Sequence, residues 1–138
     1  MFKHILLASD GSEHAIRAAE KAAYLAGLSD GEVTILYVVD GSTSKSDVLS
    51  EGSSILREEK RKQRMDTTES IFRNKEIQYR SEILKGDPGP TVVDFANKNN
   101  YDLVVIGSRG LNGLQEMVLG SVSHKVAKRS NCTVMIVK

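Results

Sequence analysis

Leu103-Val104-Val105-Ile106 places apolar side chains at consecutive positions directly before Gly107. Successive side chains of a strand point to opposite faces, so such a run must be covered on both sides. A strand with one wet face would alternate, and a surface helix would repeat its apolar positions every three to four residues. A doubly buried strand belongs inside a parallel sheet with helices packed on each face. This run restricts the fold more than any other segment.

The rest of the chain repeats the theme. Ile5-Leu6-Leu7-Ala8 is a second short apolar run, stopped by Ser9-Asp10-Gly11-Ser12. From Glu13 to Ala26 most residues are good helix formers. Asp10 and Glu13 are spaced as a variant capping box, and Gly27 stands where a C-terminal cap belongs. Val33 to Val39 is rich in β-branched residues and reads as a strand. Residues 40–54 hold many serines, with Val48-Leu49 the only large apolar pair, and are expected to form a flexible loop.

A charged helix should follow, burying Ile55, Met65, Ile71 and Phe72. Ile77, Tyr79, Ser81 and Ile83 alternate with Gln78, Arg80 and Glu82, the pattern of a sheet-edge strand with one wet face. Gly86-Asp87-Pro88-Gly89-Pro90 is turn chemistry, and Val92, Val93, Phe95 and Ala96 form the stripe of a short helix. Val118, Leu119, Val122 and Val126 have helical spacing, and Thr133 to Val137 forms a last strand. This order predicts an α/β fold: a single doubly wound, parallel five-stranded sheet of order 3-2-1-4-5 with helices on both faces, a Rossmann-like winding. Residues 1–138 are expected to form one domain.

Composition removes several function classes. A net charge of +1 over 138 residues offers no general attraction for nucleic acid. The apolar runs are too short to cross a bilayer, and the N-terminal segment meets Asp10 too early for a secretory signal. The lone Cys132 excludes an internal disulfide and fits a reducing compartment, so a cytoplasmic location is expected.

Glycines at 107, 110, 113 and 120 dominate the segment after the central strand. No lysine lies between Arg109 and Ser123, so this is no P-loop, and a dinucleotide fingerprint would open the first helix. With the order 3-2-1-4-5, the winding reverses between the first and fourth strands. Ligands bind such sheets there. Asp10-Gly11 ends the first strand, and Gly107-Ser108-Arg109-Gly110 ends the fourth, where glycines can expose backbone N–H groups. Gly120-Ser121 starts the last helix, whose open amides and dipole favour an anion; Ser121 and Ser123 add hydroxyls and Arg109 a possible cation. A pocket for a polyphosphate is the expectation. The competing reading is structural: Gly107 ends a strand, and Gly120 relieves a crowded contact.

Gly107-x-x-Gly110, nine further residues, then Gly120-Ser121 resembles the nucleotide-binding signature of the universal stress proteins. The likeness extends through Ile5 to Ser12, Gly86-Asp87-Pro88, Leu103 to Gly110, Ser121-Val122-Ser123 and Val134 to Val137. It implies ATP, or AMP or ADP, in the crevice of a stress-response regulator. By this resemblance Ala8 and Asp10 border the adenosine, Val38 lies against the adenine, and Ile106 and Gly107 lie near base or ribose. Gly110, Gly120, Ser121, Val122 and Ser123 would take the phosphates. Asp10 would help organise Mg2+ or Mn2+ held chiefly by the phosphates, or else simply cap a helix.

Fast phosphoryl transfer needs a positioned nucleophile and charge neutralisation, and Arg109 has no evident general base opposite it. His4, His14 and His124 are scattered, and Cys132 has no basic neighbour in sequence. Little or no hydrolysis is expected. A receiver domain would need an acid at the tip of the third strand, which ends Leu84-Lys85-Gly86. An adenylating enzyme would need Ser-Gly-Gly-x-Asp-Ser or His-x-Gly-His, and neither is present. A slow ATPase, or a nucleotide-free dimeric module docking an unknown protein partner through Arg57 to Lys62, are the alternatives. Val134 to Val137 leaves no polar face on what should be an edge strand, so a homodimer through Thr133–Val137 is expected.

Overall fold

The structure, a computed structural model, describes residues 2–39, 54–109 and 120–138. The loop expected over 40–54 therefore lies outside the described residues, except for its last position. Strands β1 (His4–Ser9), β2 (Glu32–Val39), β3 (Tyr79–Lys85), β4 (Leu103–Gly107) and β5 (Thr133–Val137) alternate with helices α1 (Glu13–Ser29), α2 (Ser54–Asn74), α3 (Pro88–Lys98) and α4 (Ser121–Arg129). The sheet is parallel, in the expected order β3-β2-β1-β4-β5.

Alternation along each strand divides the core in two. Ile5, Leu7, Val33, Ile35 and Val105 meet α1 and α2 through Ala18, Ala22 and Phe72. Leu6, Ala8, Leu36, Val104 and Ile106 meet α3 and α4 through Val92, Ala96 and Val126. Every residue of β4 is buried, as its unbroken apolar run requires. The body-facing side of α1 is almost wholly alanine, from Ala15 to Ala26, so the helix axis can lie close to β1 and β4.

Helix α1 departs from expectation at both ends. Its N-cap is Ser12, whose Oγ accepts the Ala15 N–H at 3.2 Å; Asp10 instead accepts the Ser12 N–H through Oδ1 at 2.9 Å. The helix runs past Gly27 to Ser29 and closes on Asp30, a left-handed residue, with Gly31 N–H donating to the Ala26 carbonyl. Asp tolerates that conformation through its short polar side chain, so the glycine at 27 was not needed as a stop.

Helix α2 buries Phe72 and, unanticipated, Thr68, with Met65 and Ile71 half-buried; the side chain of Ile55 is not among those described. Thr68 satisfies its hydroxyl internally by donating to the Arg64 carbonyl at 2.9 Å. At the β3 edge, α2 covers Tyr79 through Phe72 and reaches Ser81 through Glu69. Ile83, expected inside, remains 48% exposed. Among the described residues its strand has a neighbour on one flank alone.

Candidate functional site

The carboxyl ends of β1 and β4 lie side by side, with Ala8 opposite Ile106 in the register. Beyond them the chain leaves β1 toward α1 on one face and leaves β4 toward α4 on the other. A crevice opens where the connections diverge. Ala8, Ile106 and half-buried Val38 all belong to the α3/α4 side of the core, so the structure brings these expected residues to one floor.

The β1 lip is built locally. Asp10 is exposed and holds the Ser12 amide, while the Gly11 N–H donates to Ser9 Oγ at 3.3 Å. Gly11 has φ +79°, a conformation costly for side-chain-bearing residues. A Cβ on Gly11 would also meet the Arg64 stem from α2, at 2.6 to 2.9 Å from its Cβ, Cγ and Cδ. Arg64 was not anticipated at this lip. Below the turn, burial pushes the Tyr37 hydroxyl above its ordinary pKa, partly offset by hydrogen bonds with Thr68 and Ser9.

The β4 lip is built across sequence. Gly107 faces the first turn of α1: an added Cβ would lie 2.8 Å from both the carbonyl carbon and the Cβ of His14. Its missing side chain is thus explained by helix packing, whereas the structural reading of the sequence has it only ending a strand. Ser108, only 3% exposed, donates its N–H to the Val137 carbonyl at 2.8 Å. The Ser108 carbonyl accepts both the Gly120 N–H at 2.6 Å and the Ser123 hydroxyl at 3.0 Å. This carbonyl joins the end of β4 to the start of α4. Serine after a buried strand gives no sequence signal for that role, since the partners lie beyond residues 110–119.

These ties change which groups at α4 can meet an anion. The Gly120 amide is already engaged, and the Ser123 hydroxyl points to the Ser108 and Gly120 carbonyls, each 3.0 Å away. Gly120 supplies no side-chain cap, and the first intrahelical bond is His124 N–H to the Gly120 carbonyl. The backbone amides of Ser121, Val122 and Ser123 therefore have no intrahelical acceptor, and Ser121 is exposed beside them. An added Cβ on Gly120 would sit 3.3 Å from the Ser108 carbonyl oxygen, tight enough that this carbonyl would have to give way by a few tenths of an ångström. Arg109 is half-buried at the same lip, and Gly110 lies outside the described residues.

For a divalent cation, Asp10 offers one hard carboxylate, and the described residues contain no cluster of three metal-ligating side chains. Such an ion would draw its remaining oxygen ligands from phosphates and water, which fits the donor set of Mg2+ or Mn2+. Cys132 lies apart, packed among β4 and β5 side chains, and burial pushes its thiol pKa up, away from reactivity. No described helix is long and apolar enough to cross a membrane.

The universal stress protein family model matches residues 1–138. The chain belongs to the universal stress protein family. It is 34% identical to universal stress protein MJ0531 of Methanocaldococcus jannaschii, with 100% of this chain and 83% of that one covered. With YxiE, a universal stress protein of Bacillus subtilis, it is 33% identical over the whole of both chains. The solved structure of UspA from Lactobacillus plantarum superimposes with a TM-score of 0.83 at 26% identity, covering 99% and 98% of the two chains. Two further structures of the same fold are complexes, a universal stress protein with cAMP and one from Archaeoglobus fulgidus with dAMP. Their TM-scores are 0.66 and 0.71; identities are 24% and 23%, so the likeness is one of fold.

Proposed function

We propose that the crevice binds an adenine nucleotide, ATP or its AMP and ADP forms, and that the chain acts as a nucleotide-dependent stress-response regulator with little or no hydrolysis. One observation carries this reading. The Ser108 carbonyl, by taking the Gly120 amide and the Ser123 hydroxyl, holds the open amides of α4 beside the end of β4, next to the Asp10-Gly11 turn. Phosphates would sit on the amides of Ser121, Val122 and Ser123, with the adenosine over Ala8, Val38 and Ile106. Mg2+ or Mn2+ would bridge the phosphates near Asp10. That the same fold carries adenine mononucleotides in the cAMP and dAMP complexes is consistent with this use. A cytoplasmic, single-domain homodimer pairing through Thr133–Val137 is part of the proposal.

The test is mass spectrometry of small molecules released on denaturing freshly purified protein, beside calorimetry with Mg-ATP. We expect an adenine nucleotide in the released fraction. Gly120→Val should weaken Mg-ATP about tenfold, because its branches crowd the Ser108 carbonyl and displace the α4 amides. No released nucleotide together with no heat on saturation would move the protein to the nucleotide-free module. Light scattering that returned only monomer at micromolar concentration would defeat the dimer.

A further inference from the structure

Helix α2 is longer than the sheet it covers. Its lower part packs Phe72 against Tyr79 near the start of β3, and its Arg64 carbonyl accepts the Tyr37 hydroxyl at 3.4 Å, near the end of β2. Arg64 also lies over Gly11, beyond the end of β1. At about 1.5 Å per residue, the part of α2 before Arg64 rises about 15 Å above the strand ends. Among the described residues, no side chain of α2 before Arg64 belongs to the core packed on the sheet.

The residues facing the body change character at the same level. Phe72 and Thr68 are fully buried, and the same helical stripe continues upward as Arg64, Arg61 and Arg57. These three arginines are half-buried, whereas Glu58, Glu59, Lys60, Lys62 and Gln63 are exposed. Along this charged stretch the arginines are thus the less exposed residues. Among the described residues no salt bridge reaches Arg57, Arg61 or Arg64. Like charges at such spacing on one helix face repel each other, so the row gains stability when an anion lies against it. Its lowest member holds its stem 2.6 to 2.9 Å from where a Gly11 Cβ would be, over the turn that forms the β1 lip of the crevice.

We propose that Arg64, backed by Arg61 and Arg57, is a cationic wall of the crevice that makes it favour a polyphosphate over a monophosphate. This rests on the nucleotide reading above and deepens it. The open amides of α4 can hold one phosphate group, but a triphosphate carries further charge that backbone dipoles only partly offset. Guanidinium groups supply charge and paired N–H donors suited to phosphate oxygens. Arg64 then acts as a binding residue for the outer phosphates, and Arg61 and Arg57 act through the local potential.

Calorimetry on wild type, Arg64→Met and Arg64→Lys, titrated with ATP, AMP and inorganic tripolyphosphate, tests the proposal. Methionine keeps much of the stem over Gly11 while removing the charge. Arg64→Met should weaken ATP about tenfold and tripolyphosphate similarly, flatten the salt dependence of ATP binding, and change AMP less than about twofold. Arg64→Lys should fall between. Equal weakening of ATP and AMP would mean that the stem merely shapes the turn, and no change in ATP would mean that the charge faces elsewhere; either overturns the proposal. If wild type takes tripolyphosphate in an Arg64-dependent manner but no adenine nucleotide, the wall stands and the nucleotide reading falls. If it takes neither, both fall.

Discussion

The two lips of the crevice are held by different means. At the β1 lip the N–H groups of Gly11, Ser12 and Ala15 find acceptors within three residues, on Ser9, Asp10 and Ser12, and Ser12 caps the helix that follows. At the β4 lip a single carbonyl, on Ser108, collects groups from residues 120 and 123, while its own N–H reaches Val137. The first lip can form as soon as its turn forms. The second exists only when β4, β5 and α4 have come together. The difference teaches where substitutions should act locally and where they should be felt through the whole sheet.

Gly107→Val should give the largest effect. Its Cβ would meet the His14 backbone at 2.8 Å, so α1 must move away from β4, and we expect a loss of about 3 kcal/mol in urea unfolding. A loss under about 0.5 kcal/mol would show that α1 yields freely and that the β4 lip is less tightly tied than described. Ser123→Ala removes one of the two donors on the buried Ser108 carbonyl and should cost about 1 kcal/mol of stability. It should also weaken Mg-ATP, because the start of α4 is less firmly held.

Ser12→Ala is the matching change at the β1 lip. Loss of its bond to the Ala15 N–H should cost about 1 kcal/mol by thermal or urea unfolding. Nucleotide affinity should move less than in Ser123→Ala; the reverse order would break the contrast between the lips. The smallest effect concerns Tyr37 beneath the β1 lip. Its folded pKa is raised above 10.0 chiefly by burial, so its contribution to stability is complete below pH 10 and fades as pH rises through the folded value. Tyr37→Phe should flatten that alkaline slope, measured as stability between about pH 9 and pH 11.

Much of this molecule is legible along the chain. Leu103 to Ile106 announces a central parallel strand, Ile5 to Ala8 a partner, and the glycine signature with Gly120-Ser121 points to the carboxyl end of the sheet, where the connections after β1 and β4 diverge. The helix limits are less legible. Gly27 looks like a cap, yet Asp30 takes that role, because both can follow a helix and the choice depends on the approach to β2. The lip residues are partly legible. Gly107 attracts notice as a base or ribose contact and Ser123 as a phosphate contact, but the structure presses the one against His14 and turns the hydroxyl of the other toward Ser108. Arg64 attracts none, since an arginine just beyond the charged run Arg57 to Lys62 looks solvated until α2 is laid over Gly11.

The amino-acid sequence alone determined the alternation of strand and helix, the doubly covered sheet and the family. Those follow from side-chain periodicity and short motifs, which act between near neighbours in the chain. The tertiary structure alone decided that Ser108 is the knot of the β4 lip, that Gly107 makes room for α1, and that the Arg64 stem lies over Gly11. Each of these joins residues far apart in the chain. Their meeting depends on how helices settle on the sheet, and no local pattern encodes that distance.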